Sequence, residues 1–240
     1  MYNPCHMEAR VAVAKVGKYA TSESGDTLEM VERPSGGISF VLADGQSSGK
    51  SAKAISNVVA RKAISLLAEG VRDGAAARAA SDYLYTYRAG KVLATLNILS
   101  IDLLSSTLVI TRNNPSPVQI IQEGVIQSLD LPTDPVGTRR GIRPAIEEIP
   151  LSSTLRVVVY TDGLVHAGSR TGAHFDIRAQ LEQLIAEGSE DPEVWANCLV
   201  DKAVELDEGR PSDDISVLVA IIGGQAVDRV RRLKVKIPLP

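Results

Sequence analysis

Three aspartates occupy the same kind of position in this chain. Asp44 follows the apolar run ISFVLA, Asp162 follows LRVVVYT, and Asp213 stands just ahead of ISVLVAII. Each lies at the end of a segment that reads as a buried strand. Strand ends in a packed sheet converge on one edge, so the three carboxylates can face a common point. Close carboxylates repel one another unless they are protonated or hold a cation. A donor set of oxygen alone suits a hard ion such as Mg²⁺ or Mn²⁺. Gly45 and Gly163 follow two of the aspartates, where a residue without Cβ lets the backbone approach an ion and a carbonyl add a ligand. Asp26, in SGD, and Asp214 are further candidates for the same cluster. Taken singly, Asp-Gly and Asp-Asp are ordinary turn pairs. The threefold coincidence is what points to chemistry.

The rest of the composition narrows the choice. The 240 residues are 44% hydrophobic and 23% charged, with a net charge of −3. That is an ordinary globular balance with no basic field for nucleic acid. Aromatic residues make up only 4%, too few for base-stacking platforms. The histidines are His6, His166 and His174, and the cysteines Cys5 and Cys198. These exclude a thiolate or imidazole zinc cluster and a disulfide framework. Both thiols are expected to be inert, Cys198 as a helix core residue. No signal peptide or membrane-length apolar run is evident. The expectation is a soluble cytoplasmic protein with no membrane or nucleic-acid partner.

The elements that must position these residues follow from periodicity. Strands are expected near 9–18, 36–43, 96–103, 107–112, 117–122, 145–149, 155–160 and 216–222. Between the second and third, apolar residues from Ser51 to Leu67 recur at helical spacing. A second helix is expected from an Asp73 N-cap to about Leu93. Residues 175–187 and 192–208 read as two more helices, and 129–143 as a loop. Segregated strands and helices predict an α+β fold, as one domain over 1–223. The remaining 224–240 form a basic tail in which charged and apolar residues interleave, either a solvated element or an arm for a partner or a second copy.

Strand-ADG-loop-helix, then YTDG, then PSDDIS-strand resembles the PPM (PP2C-type) metal-dependent serine/threonine phosphatases. It is similar above all to their compact bacterial branch of SpoIIE, RsbU and RsbX. The resemblance covers roughly residues 8–223 and includes SGD at 24–26 and PVG at 135–137. It implies a β-sandwich of two antiparallel sheets flanked by pairs of helices, in four αββα layers. It implies two Mn²⁺ or Mg²⁺ ions, with Asp44 bridging them and the Gly45 carbonyl on one. Asp162 and Asp213 would complete the other site, and Asp26 would support it directly or through water. Asp213 rather than Asp214 takes the ligand role because DDIS matches the family's pattern. The activity implied is hydrolysis of phosphoserine or phosphothreonine by a metal-activated water. The substrate implied is a phosphorylated bacterial regulator of the anti-sigma-antagonist or stressosome type. Only about eight residues precede the first strand, so no sensor domain is expected before it.

The chain also departs from the family. Where relatives often read Asp-Gly-x-Gly-His-Gly, this chain has DGQSSG, with Ser47 and Ser48 in place of Gly and His. Lys50, just beyond, is a candidate contact for the substrate phosphate or simply a solvated helix-start lysine. His166 stands where the usual Glu follows TDG, and Asn113-Asn114 lacks the family's following His. Two other readings remain. One is a PPM-fold scaffold without turnover. The other is a P-loop NTPase, which GQSSGKS approaches with one residue too few between its glycines.

Overall fold

The computed structural model describes residues 7–224 and 228–237. Its most apolar stretch, Ile215–Gly223, forms the last strand, β10, and is buried along its whole length. It lies in a sheet of order β1-β10-β9-β6-β7. The members of that sheet are β1 (Glu8–Val16), β6 (Val118–Gln122), β7 (Val125–Leu129), β9 (Arg156–Tyr160) and β10. A second sheet has the order β2-β3-β4-β5-β8. It contains β2 (Asp26–Glu32), β3 (Ile38–Gly45), β4 (Ala94–Asp102), β5 (Thr107–Asn113) and β8 (Ala145–Pro150). The paired strands in both sheets are antiparallel. Among the described residues there is therefore no parallel βαβ unit to carry a P-loop, and that reading is set aside.

Period-two alternation builds the layers. On β3, Phe40 and Leu42 face the other sheet and meet Leu99, Ile110, Val157 and Leu218. Their neighbours Val41 and Ala43 face outward, under α1 (Gly49–Ala68) and α2 (Asp73–Arg88). The buried face of these two helices is rich in alanine, with Ala52, Ala60, Ala63, Ala76, Ala77 and Ala80. Small side chains there let both helices lie close to each other and to the sheet. On the opposite outer face, α4 (Ile177–Ala186) and α5 (Pro192–Leu206) cover the first sheet with Leu181, Leu184, Trp195 and Leu199. The result is the expected α+β sandwich in αββα layers. Full burial of each such Leu or Val contributes about 1.5–3 kcal/mol. No described helix is long and apolar enough to cross a membrane.

Several elements differ from their sequence expectation. β2 and β7 are strands that periodicity did not mark, and α3 (Asp162–His166) is a short helix. α2 stops at Arg88 rather than near Leu93. Ala89 (φ 50°) and Gly90 (φ 68°) take left-handed conformations that end it. Asp73 does not cap α2, because Arg72 holds the N-cap position and Asp73 is the first helical residue. Its carboxylate instead meets Arg33 Nη1 at 2.8 Å and the Ser100 hydroxyl. Arg33 Nη2 also donates to the Val71 carbonyl at 2.9 Å. This buried network ties the α1–α2 connection to the second sheet. Cys198 is half-buried against the α5 core, and burial pushes its thiol up. Cys5 and His6 lie outside the described residues.

Candidate metal centre

The antiparallel pairing of β2 with β3 sets Asp26 directly opposite Asp44. In the other sheet, β9 runs into Asp162, the first residue of α3, while Asp213 stands two residues before β10. Thr161 N donates to the Ser216 carbonyl at 3.0 Å, so the end of β9 and the start of β10 coincide. Both sheets thus deliver their carboxylates to the same pole of the sandwich. The sheets are joined there by side chains. Ser216 Oγ and Thr161 Oγ1 donate across to Asp26 Oδ2, at 2.5 and 3.1 Å.

Packing explains the glycines beside the aspartates. A Cβ on Gly45 would stand 2.0 Å from the Ala52 carbonyl oxygen of α1, and one on Gly163 would stand 2.1 Å from the Asp214 carbonyl oxygen. Each glycine lets a helix start press onto a neighbouring strand, and that contact brings its aspartate to the pole.

The carboxylates feel one another. Asp44 is pushed up to about 9, first by burial and then by the charges of Asp26, Asp162 and Asp213. Asp26 is fully buried, and burial raises it to about 6 against the pull of Ser216, Lys15 and Thr161. Burial also raises Asp213, with Asp162 adding to the shift. With both carboxyls ionised, Asp26 Oδ1 is buried without a hydrogen-bond partner; a protonated Asp44 would donate to Asp26. An orphaned buried carboxylate oxygen beside a carboxyl that resists ionisation is what a cation site looks like without its cation. The donors are hard oxygens, so the residues present fit Mg²⁺ or Mn²⁺. Among the described residues, no three Asp, Glu, His or Cys side chains gather closely enough to hold an ion alone. A resident ion would need carboxylate pairs completed by a backbone carbonyl and water.

Asp213 and Asp214 are separated by their bonding. Asp214 Oδ1 accepts from Lys18 N at 2.9 Å and Oδ2 from Gly25 N at 2.7 Å. Both its oxygens therefore staple the 17–25 loop to β10. Asp213 accepts only the amide of Asp214, at 2.9 Å, and is half-exposed towards the pole.

Two lysines at the site escaped the sequence reading. Lys15 Nζ and Lys53 Nζ donate to the Asp26 carbonyl at 2.5 and 2.6 Å. Burial, followed by the nearby Lys53 charge, lowers Lys15. The signal was available, because Lys15 continues the Val11, Val13 alternation and is therefore a charge on an inward face. Lys50 is exposed on the first turn of α1 and His166 is exposed on α3. The loop after Asp44 keeps its sharp turn although Ser47 replaces glycine, with Ser47 at φ 82°.

A sandwich of this topology, with carboxylates at one pole, is the fold of PP2C-type phosphatase domains. The PP2C phosphatase domain of the cell-fate determinant SpoIIE from Bacillus subtilis, solved with a fragment of its regulatory domain, superposes with a TM-score of 0.78 at 19% identity. That match covers 90% of this chain and 64% of the SpoIIE chain. The catalytic domain of the serine/threonine protein phosphatase PstP, in complex with two manganese ions, gives 0.68 at 16% identity over 91% of this chain and 100% of its own. RsbX in complex with magnesium gives 0.68 at 14% identity over 91% and 99%. The profile of the family described as Stage II sporulation protein E (SpoIIE) matches residues 34–222, and the chain belongs to that family. No curated protein matches the chain.

Proposed function

We propose that this protein is a metal-dependent phosphatase acting on phosphoserine or phosphothreonine of a bacterial regulatory protein, of the anti-sigma-antagonist or stressosome type. The observation that carries the reading is the Asp26–Asp44 pair, one carboxylate with an orphaned buried oxygen and the other held well above its ordinary range. The residues that would hold two Mn²⁺ or Mg²⁺ ions are Asp44 as the bridge, the Gly45 carbonyl, Asp162 and Asp213, with Asp26 in support. Bound there, such ions supply an acidified water and offset phosphoryl charge.

The chain's own groups do the rest. Ser216 and Thr161 orient Asp26 from the opposite sheet, and Lys15 and Lys53 moderate the crowded negative charge through the Asp26 carbonyl. Lys50, at the mouth of the loop, would meet the phosphate of the incoming substrate. An alkoxide leaving group needs a proton, and residues 46–48 offer Gln, Ser and Ser. That loop favours a second reading, in which the protein binds a phosphoprotein and metal but turns over slowly or not at all.

The test is release of inorganic phosphate from a phosphoserine or phosphothreonine peptide with Mn²⁺. Release that stops in EDTA supports the phosphatase reading. Metal binding without release supports the scaffold, and release independent of metal contradicts both.

A further inference from the structure

Segment 228–237 (DRVRRLKVKI) carries five basic residues and one acidic; it opens with a bend in which Arg232 pairs with Asp228 and continues without helix or strand to Ile237. Its apolar side chains lie in water, with Leu233 70%, Val235 71% and Ile237 69% exposed. Leu233, Val235 and Ile237 alternate with Arg232, Lys234 and Lys236, the pattern of a strand with one apolar and one basic face. The segment is anchored at its start, where Arg231 donates to Glu32 at 3.1 Å and to the Gly36 carbonyl at 2.6 Å.

The molecule also presents a surface of complementary character. β7 and β8 are edge strands of the two sheets. A groove of about 220 Å³ lies between them, lined by residues that include Arg112, Asp130, Leu131, Ile146 and Glu147; Asp130 offsets the buried Arg112, and Glu147 is the further carboxylate. Leu131 is 66% and Ile146 45% exposed. Glu147 points into the mouth of the sandwich on the same face as Ile149, while Glu148 is exposed on the opposite face with Ile146. An inward-facing charge on an edge strand repels unselected strands. It admits one that brings the opposite charge.

We infer that segment 228–237 of a second copy of this chain pairs along β8, with its basic face against Glu147 and its apolar face against Ile146. Register excludes the segment of the same copy. Glu32, Ile38, Ile101, Leu108 and Ile149 form one continuous row across the second sheet. With strands ~4.8 Å apart, Ile149 is about 19 Å from the Glu32 anchor. Residues 232–237 span about 20 Å when fully extended, so they would reach β8 with no length left to lie along it. Two copies exchanging segments reciprocally close a two-fold dimer, which covers both the exposed apolar side chains and the open edge. The inference is independent of phosphatase activity.

The test is molar mass by sedimentation equilibrium over a concentration series. Wild type is expected to dimerise. Deletion of 227–240, the variant Glu147→Lys and the variant Lys234→Glu/Lys236→Glu are each expected to raise the dimer Kd at least tenfold. All three substituted side chains are exposed, so unchanged thermal melting serves as the folding control. Mixing the two charge-reversed variants, or combining all three substitutions, is expected to restore the dimer. A wild type that stays monomeric, a Glu147→Lys protein that dimerises normally, or failure of the combined variant to recover would overturn the assignment. So would binding of the monomer through this segment to anionic lipid vesicles in place of a second copy.

Discussion

Asp26 and Asp44 sit directly opposite each other at the open end of the β2–β3 ladder, and Asp26 is held by two hydroxyls from the other sheet. The pair therefore joins the sheets and concentrates negative charge at one point. That arrangement favours a bound cation and burdens the fold without one.

The burden gives a prediction for the metal-free protein. The folded-state Asp44 and Asp26 carboxyls lie near 9 and 6, above their ordinary 3.8. The native state thus binds more protons than the unfolded state between those values. These groups must destabilise the fold progressively as pH rises from about 4 towards 9. In EDTA, the melting temperature at pH 8 should lie below that at pH 6, and Asp44→Asn should regain several degrees at pH 8. A gain of 1 kcal/mol corresponds to about 2–4 °C for a domain of this size. Thermal melts of both proteins at the two pH values make the check. A variant less stable than wild type at pH 8 would contradict the electrostatic account.

Ser47 gives a second prediction. It is exposed, and it holds a left-handed φ of 82° where the family often has glycine. A side chain in that region costs about 1–2 kcal/mol. Ser47→Gly should stabilise the protein by about 0.5–1 kcal/mol once the added freedom of the unfolded chain is included. Urea unfolding should show a higher midpoint with an unchanged slope.

The Arg33–Asp73 pair gives a third. Both side chains are more than 90% buried, and each leaves a buried charge if the other is removed. Arg33→Ala should destabilise by about 3–5 kcal/mol. Replacing both by leucine should recover much of that loss. Denaturant unfolding of the two variants distinguishes an ion-pair effect from simple loss of packing.

The loop after Asp44 gives a fourth. With serine at 47 and 48, a leaving group that needs protonation is poorly served. An aryl phosphate should be turned over much faster than a phosphoserine peptide. Ser48→His should raise kcat on the peptide, by up to about 100-fold if the imidazole acts as a positioned acid. The aryl phosphate rate should change little. Equal effects on both substrates would show that the histidine acts on something other than the leaving group.

Much of this architecture was legible because apolar runs are long where strands are buried on both faces. β3, β9 and β10 are such strands, and they carry Asp44, Asp162 and Asp213 at their ends. β2 was not legible. In DTLEMVE the acidic residues fall at every third position, 26, 29 and 32, which hides the period of two in a partly exposed edge strand. The cross-sheet bonds from Ser216 and Thr161 to Asp26 span 190 and 135 residues, a separation at which no local pattern operates. The role of Asp73 was misread for a similar reason. An aspartate before a helical run suits a cap, but a buried arginine 40 residues earlier in the chain claims its carboxylate.

The proposed metal centre turns on Asp44 as the residue that would hold both cations. The direct measurement is Mn²⁺-dependent hydrolysis of p-nitrophenyl phosphate by wild type and by Asp44→Asn, side by side at saturating metal. A wild-type rate that EDTA abolishes and a loss of roughly two orders of magnitude or more in the variant are expected. Equal rates for the two proteins would contradict that role of Asp44.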